Sequence, residues 1–123
     1  MLTSLTPFER KVLDSYIVVA NESETLRKQV ATVTVVSREN TGHGTFTQFE
    51  ADTSCKALFP ATGEVSTTKM VLLEHPALPD GACTVLFVKD GYIEMLECAV
   101  FGNEEWPEDE TLFTICLEDR ASK

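Results

Sequence analysis

The stretch CTVLFVKDGYIEMLECAVF, residues 83–101, consists of two apolar, β-forming runs that flank the pair Asp90-Gly91. An Asp-Gly pair between such runs is a strong signal for a tight β-hairpin, because its residues tolerate the positive φ angles that the favoured two-residue turns require. The chain is therefore predicted to contain a pair of antiparallel strands here. Side chains on the second strand should alternate between faces, and the predicted members of one face are Tyr92, Glu94 and Leu96.

The segment TPFE near the N-terminus indicates the start of a helix. Thr6 suits the N-cap, Pro7 suits the first helical position, and Glu9 completes a capping box. Apolar residues then recur at helical spacing, which predicts a helix over residues 7–20. A second, shorter helix is predicted over residues 24–31.

The rest of the chain is dominated by runs that favour strands. Residues 52–68 are small and polar, so they are predicted to form a loop with at most a short strand, and residues 77–82 are predicted to form a turn. The order of elements predicts one α+β domain over residues 1–123, with two N-terminal helices packed on a mainly antiparallel sheet of five or six strands. Besides the hairpin, the predicted strands lie in residues 31–39, 45–51, 69–75 and 111–118.

Negative charge is concentrated in the last third of the chain. The protein has a formal net charge of −10, and residues 90–119 hold ten acids and no Lys or Arg. Phosphate groups repel such a chain, which argues against binding to nucleic acid or to an anionic membrane. The same field attracts positive charge, so a basic protein partner is predicted.

The acids are densest around the only tryptophan, in GNEEWPEDE, residues 102–110. Like charges at this density repel one another, and tryptophan is a favoured anchor at protein interfaces, so a partner-binding surface is predicted. Its predicted members, including two acids of the hairpin, are Asp90, Glu94, Glu104, Glu105, Trp106, Glu108, Asp109 and Glu110. The alternative is a solvated loop that keeps the protein soluble, with Trp106 folded back over the sheet.

Residues suited to catalysis are sparse. His43 lies in the turn TGHG, and Cys55, Ser37 and Thr41 can be envisaged as nucleophiles near it, but no nucleophile motif accompanies them. The turn lacks the lysine of a phosphate-binding loop, and the acids do not match a calcium-binding loop. The prediction is that the chain is not an enzyme and has no catalytic residue, metal or cofactor. A ligand-binding or enzymatic fold that uses His43 is an alternative.

The cysteines and the N-terminal residues bear on the cellular compartment. Four cysteines, at positions 55, 83, 98 and 116, form no C-x-x-C pair and no zinc-type spacing with histidine. Buried, reduced thiols are predicted, because most of the cysteines lie within or beside apolar runs. A signal peptide and an apolar run of the ~18 residues that cross a bilayer are both lacking. These features predict a cytoplasmic protein without membrane contact.

Two stretches together, SRENTGHGTFTQF (37–49) and LFVKDGYIEMLECAVFGNEEWP (86–107), resemble a loose group of small uncharacterised bacterial proteins. Those proteins read R-E-x-T-G-x-G-x-F-T-x-F, then L-F-V-x-D-G, and end in a G-(N/D)-E-x-W-P box. This chain departs from the pattern at Thr45, where an aromatic is usual, and at Cys98, where glycine is usual. The resemblance implies a shared fold and no particular activity.

By size and charge, the chain also resembles immunity proteins, the small acidic α+β proteins of the cytosol that neutralise bacterial toxins. Many of those toxins are basic nucleases. The resulting prediction is a cytoplasmic binding protein, an immunity protein that holds a basic toxin domain on residues 90–110. The alternative is a small structural or housekeeping domain whose acidic loop only keeps the protein soluble.

Overall fold

The computed structural model describes residues 3–120 and shows the predicted α+β class, with two helices followed by an antiparallel sheet. The sheet has seven strands rather than five or six, because two residues of the predicted loop 52–68 form an additional short strand. The predicted domain limits, residues 1 and 123, lie outside the described residues. The elements are α1 (Pro7–Val19), α2 (Ser23–Thr32), β1 (Thr34–Asn40), β2 (Gly44–Glu50), β3 (Gly63–Glu64), β4 (Lys69–His75), β5 (Leu78–Lys89), β6 (Tyr92–Val100), a 3-10 turn (Glu110–Leu112) and β7 (Thr114–Asp119).

Helix α1 begins as its sequence predicts. The Thr6 hydroxyl accepts a hydrogen bond from the Glu9 amide at 3.1 Å, and the Thr6 amide donates to the Glu9 carboxylate at 2.8 Å. Pro7 stands in the first turn, where the amide that proline lacks would have no partner within the helix. These contacts confirm the capping box, and the helix ends at Val19, one residue before its predicted end.

The strands lie in the order β1-β2-β6-β5-β4-β7, and β3 pairs with β5 beyond the end of β4. The β5–β6 hairpin turns at Asp90 and Gly91, which have φ angles of 55° and 91°. Both values lie in the left-handed region, and this confirms the turn that the Asp-Gly pair predicts. Neither of the helices described is long and apolar enough to span a membrane.

Both helices contact the same face of the sheet. The Tyr16 hydroxyl of α1 lies 2.8 Å from the Thr84 hydroxyl of β5, and the Gln29 side chain of α2 accepts a hydrogen bond from the Ile93 amide of β6 at 3.0 Å. Buried apolar side chains from the helices and from this face form one cluster. The fold therefore has two layers, with its core between the helices and the sheet.

The hairpin contains an irregularity that alters the predicted faces of β6. Val88 pairs with Ile93, and Phe87 pairs with Met95, so Glu94 has no partner on β5. Such a β-bulge shifts the alternation of side chains by one residue. Ile93 and Leu96 are consequently both buried, which contradicts the prediction that Leu96 shares a face with Glu94 and lies opposite Ile93.

Strand β5 is longer than predicted, because only Ala77 of the segment 77–82 lies in a turn, together with Pro76, and the strand begins at Leu78. The β4–β5 pairing skips between Leu73–Ala82 and His75–Leu78, so β5 carries extra residues at this point. An irregular strand end tolerates Pro79, which cannot donate to a partner strand, and Gly81, which has a φ angle of 74°. Residues that are typical of a turn therefore form a bulged strand.

Candidate functional site

The acidic loop, residues 102–110, folds back onto the core through its tryptophan. Trp106 is 6% exposed, and its ring meets the ring of Phe8 edge-on, with 6.0 Å between centroids, and that of Phe113 at 4.9 Å. Its Nε1 donates a hydrogen bond to Glu110 Oε2 at 2.9 Å. Trp106 therefore does not face outwards as a member of the predicted partner-binding surface. It folds back, as in the alternative prediction, because its ring fills the core beside α1 and its N–H is satisfied within the loop.

Two histidines from other parts of the chain hold the backbone of the acidic loop. His43 Nδ1 lies 3.0 Å from the Glu104 carbonyl oxygen, and His75 Nε2 lies 2.9 Å from that of Asp109. A carbonyl oxygen only accepts, so each of these ring nitrogens carries the proton of its hydrogen bond. The Trp106 amide also donates to the Gly42 carbonyl at 2.8 Å. The loop is therefore ordered by contacts along its whole length.

The five acids of the loop differ in how far they are available to a partner. Glu105, Glu108 and Asp109 are exposed, whereas Glu104 and Glu110 are half buried. Glu110 is already used by the Trp106 indole. Hydrogen bonds from the Thr111 side chain and amide lower the pKa of Asp109, so Asp109 is ionised and also caps the 3-10 turn. The outward-facing negative charge thus lies chiefly on Glu105, Glu108 and Asp109.

Asp90 and Glu94 do not join this group. Asp90 lies at the hairpin turn and Glu94 is the third residue of β6, while the acidic loop follows the other end of β6. That strand has nine residues, and at about 3.3 Å per residue it separates the two ends by roughly 30 Å. The predicted patch therefore divides into two parts. The acidic loop follows one end of β6, and Asp90 and Glu94 lie near the other end.

His43 and Cys55, two of the residues considered for catalysis, are also separated. The His43 carbonyl accepts from the Val100 amide, at the acidic-loop end of β6. The Cys55 carbonyl instead accepts from the Tyr92 hydroxyl at 2.8 Å, at the hairpin end. Within residues 3–120, no three His, Cys, Asp or Glu side chains are grouped as a metal site needs. The geometry gives His43 a structural contact with the acidic loop.

One ion pair, between the buried Glu9 and the exposed Arg38, has no counterpart in the sequence predictions. Glu9 accepts hydrogen bonds from Arg38 Nε at 2.7 Å and Nη2 at 2.8 Å, and from the Thr47 hydroxyl at 3.3 Å. Burial raises the pKa of Glu9, but hydrogen bonds from Arg38 and Thr6 outweigh it, and the net pKa is lowered. The pair ties α1 to β1 beside a cavity of about 270 Å³ that Glu110 also lines. The pair was not predicted, because Glu9 and Arg38 are far apart in the sequence and no local pattern links them.

Comparison of the chain with models of known protein families, with curated proteins and with solved structures finds no match. The resemblances to the group of small bacterial proteins and to immunity proteins therefore stay predictions.

Proposed function

We propose that this chain is a binding protein for a basic protein partner and that the acidic loop is its primary contact. The supporting observation is that the loop is held in place by the buried Trp106 ring and by the His43 and His75 contacts. A binding loop gains affinity, because less conformational entropy is lost when a partner binds.

Charge gives this surface its preference among partners. Glu105, Glu108 and Asp109 are exposed on a chain with a net charge of −10. Such a field speeds encounter with a basic surface and repels acidic ones. Lysine and arginine side chains of the partner pair with these carboxylates and set the orientation of the complex.

The particular function that we propose is that of an immunity protein. The partner is a basic toxin domain, and the bound chain covers the toxin's substrate-binding surface. The support is the size, the acidity and the ordered acidic loop; the proposal is an analogy with a class of protein rather than with a particular member.

The proposal is tested with the protein domain encoded by the reading frame immediately upstream. We expect this domain to be toxic when expressed alone, to be neutralised by the chain and to form a complex with it. The double variant Glu105→Lys/Glu108→Lys should bind more weakly and protect less. The matched control Asp14→Lys/Glu50→Lys changes the net charge equally at exposed positions on α1 and at the far end of β2.

Two results contradict the proposal. One is an upstream product that is neither toxic nor bound by the chain. The other is equal binding and protection by the two double variants, which would reduce the acidic loop to a feature of solubility.

A further inference from the structure

The sheet has a second face that points away from the helices. Thr84 and Leu86 of β5 point to the helices, so the residues between and after them, Val85 and Phe87, point to the opposite side. Strand pairing places Met95 opposite Phe87, and Glu97 opposite both Val85 and Phe46. We call this side the open face. Its central apolar side chains are all half buried, and they are Phe46, Leu72, Val85, Phe87 and Met95.

Carboxylates are interleaved with these apolar side chains. Pairing places four of them on the open face. Three lie opposite Phe46 or Phe87, and the fourth lies opposite Met70, which is two residues from Leu72 on β4 and so shares its face. The same pairing puts Lys89, beside the hairpin turn, on this side. A second copy of the chain would bring acid against acid here, whereas a basic surface would find complementary charge. The four acids are Glu39, Glu64, Glu97 and Glu118.

The sheet also opens between β4 and β5. Strand β4 leaves β5 after the Leu72–Cys83 pair, and β3 takes its place only from Phe87 onwards. The gap contains a cavity of about 280 Å³, whose lining includes Tyr16, Leu72, Thr84 and Arg120. This volume lies just below the ~300–1,000 Å³ of typical small-molecule pockets, so it suits one side chain inserted by a protein partner.

We propose that the open face is the docking surface that supplies the apolar centre of the complex with the basic partner. This inference rests on the proposed function for the nature of the partner. Stable interfaces combine an apolar centre with a polar rim, and the buried Trp106 cannot supply that centre. The open face offers apolar side chains, a frame of carboxylates and a cavity for one inserted side chain.

The cysteines provide a built-in test. Cys83 and Cys116 both pair with Leu72 and therefore lie on the open face, where both are half buried. Cys55 has the same degree of burial but lies beside α2, with its Sγ 3.7 Å from the Lys28 carbonyl oxygen. A protein on the open face should slow the alkylation of Cys83 and Cys116 and leave Cys55 unchanged. Burial, and then Glu97, raise the pKa of Cys83, so labelling is best done at mildly alkaline pH.

The probes are synthetic peptides of equal length. One alternates Lys and Leu, one is oligolysine, and one alternates Glu and Leu. We expect the Lys–Leu peptide to slow alkylation of Cys83 and Cys116 several-fold, as read by mass spectrometry of each thiol, and the other two to protect these thiols much less. Equal protection by oligolysine, or protection of Cys55 instead, overturns the inference. Protection that grows with protein concentration in the absence of peptide shows that a second copy is the occupant, and also overturns it.

The variant Met95→Glu distinguishes apolar docking from charge alone. It adds an acid to the middle of the open face, so attraction by charge alone predicts tighter binding of the Lys–Leu peptide, whereas apolar docking predicts weaker binding and lost thiol protection. Met95→Gln, which adds no charge, should weaken binding in the same direction and covers the case in which the Glu variant does not fold. Tighter binding by Met95→Glu contradicts the inference.

The upstream-encoded domain separates this inference from the proposed function. If that domain binds and depends on Glu105 and Glu108, but leaves Cys83 and Cys116 fully reactive, the open face is not the docking surface although the function stands. If the domain does not bind at all, the proposed function itself has failed.

Discussion

At the scale of single residues, the sequence did not determine whether the Trp106 side chain is exposed or buried. Its neighbours are acids, which is typical of a surface loop, and the sequence left two alternatives open, an exposed interface anchor and a ring folded back over the sheet. Its burial depends on Phe8 and Phe113, from α1 and from the residue before β7. Contacts between positions that distant are fixed by the tertiary fold, so sequence could supply the loop's charge but not the direction of its tryptophan.

The burial of Trp106 has a direct consequence for stability. Trp106→Ala should lower the free energy of unfolding by about 3–5 kcal/mol, the usual cost of removing a large buried ring. Trp106→Phe keeps most of the packing and should lose about 1–3 kcal/mol, because the half-buried Glu110 carboxylate loses its donor. Urea denaturation measures both. Wild-type stability of the Ala variant would show that the indole does not belong to the core.

The Glu9–Arg38 pair should make stability depend on pH. The folded-state pKa of Glu9 lies below its ordinary value of 4.5, so the folded chain binds this proton less readily than the unfolded chain. The contribution of Glu9 is therefore complete above about pH 4.5 and is lost as the pH falls through the lower, folded-state value. The difference in unfolding free energy between wild type and Glu9→Gln should shrink as the pH falls below about 4.5. Denaturation at a series of pH values from 7 to 3 measures this difference. A difference that is constant across this range would contradict the assignment.

At the scale of elements, the features that neighbouring residues determine were predicted correctly. The features that depend on long-range strand pairing were not. The Thr6–Glu9 capping box and the Asp90-Gly91 turn are contained within a few residues, and the structure has both. The bulge at Glu94 depends on which residues of β5 lie opposite, and strand pairing is invisible within a single strand. The short strand β3 likewise exists only because β5 extends beyond β4.

The hairpin turn gives a prediction at this scale. Gly91 has a φ angle of 91°, and a Cβ placed there would lie 2.5 Å from the Ala57 Cβ. Gly42 has a similar φ of 95° but nothing within 4 Å. Gly42→Ala should therefore show only the backbone penalty of roughly 1–2 kcal/mol, and Gly91→Ala should cost more.

Thermal or chemical denaturation of three variants checks this difference. Adding Ala57→Gly to Gly91→Ala should restore part of the stability, because it removes the nearest clashing atom. Equal losses for Gly42→Ala and Gly91→Ala would show that loop 52–68 does not press against the hairpin turn.

At the scale of the whole molecule, charge and fold are arranged separately. The sequence correctly indicates a strongly acidic last third, but the fold sends its acids to different places: Asp90 to the hairpin tip, Glu97 and Glu118 to the open face, and Glu105 and Glu108 to the acidic loop. An extended strand separates the residues that precede it from those that follow it. Acids that are near one another in sequence, but on either side of a strand, are therefore distant in space. The apolar centre of the open face, in turn, is assembled from four strands and has no single sequence signature.

The most direct test of the account is the association rate constant with the upstream-encoded domain, measured by stopped flow from low to high salt. Charge steering predicts that Glu105→Lys/Glu108→Lys slows association strongly at low salt, and that the difference from wild type shrinks as the Debye length falls from about 30 Å at 0.01 M to about 3 Å at 1 M. Asp14→Lys/Glu50→Lys should slow association less, because its changes lie away from the acidic loop. Equal rates for the two double variants at every salt concentration would contradict the claim that the acidic loop receives the partner.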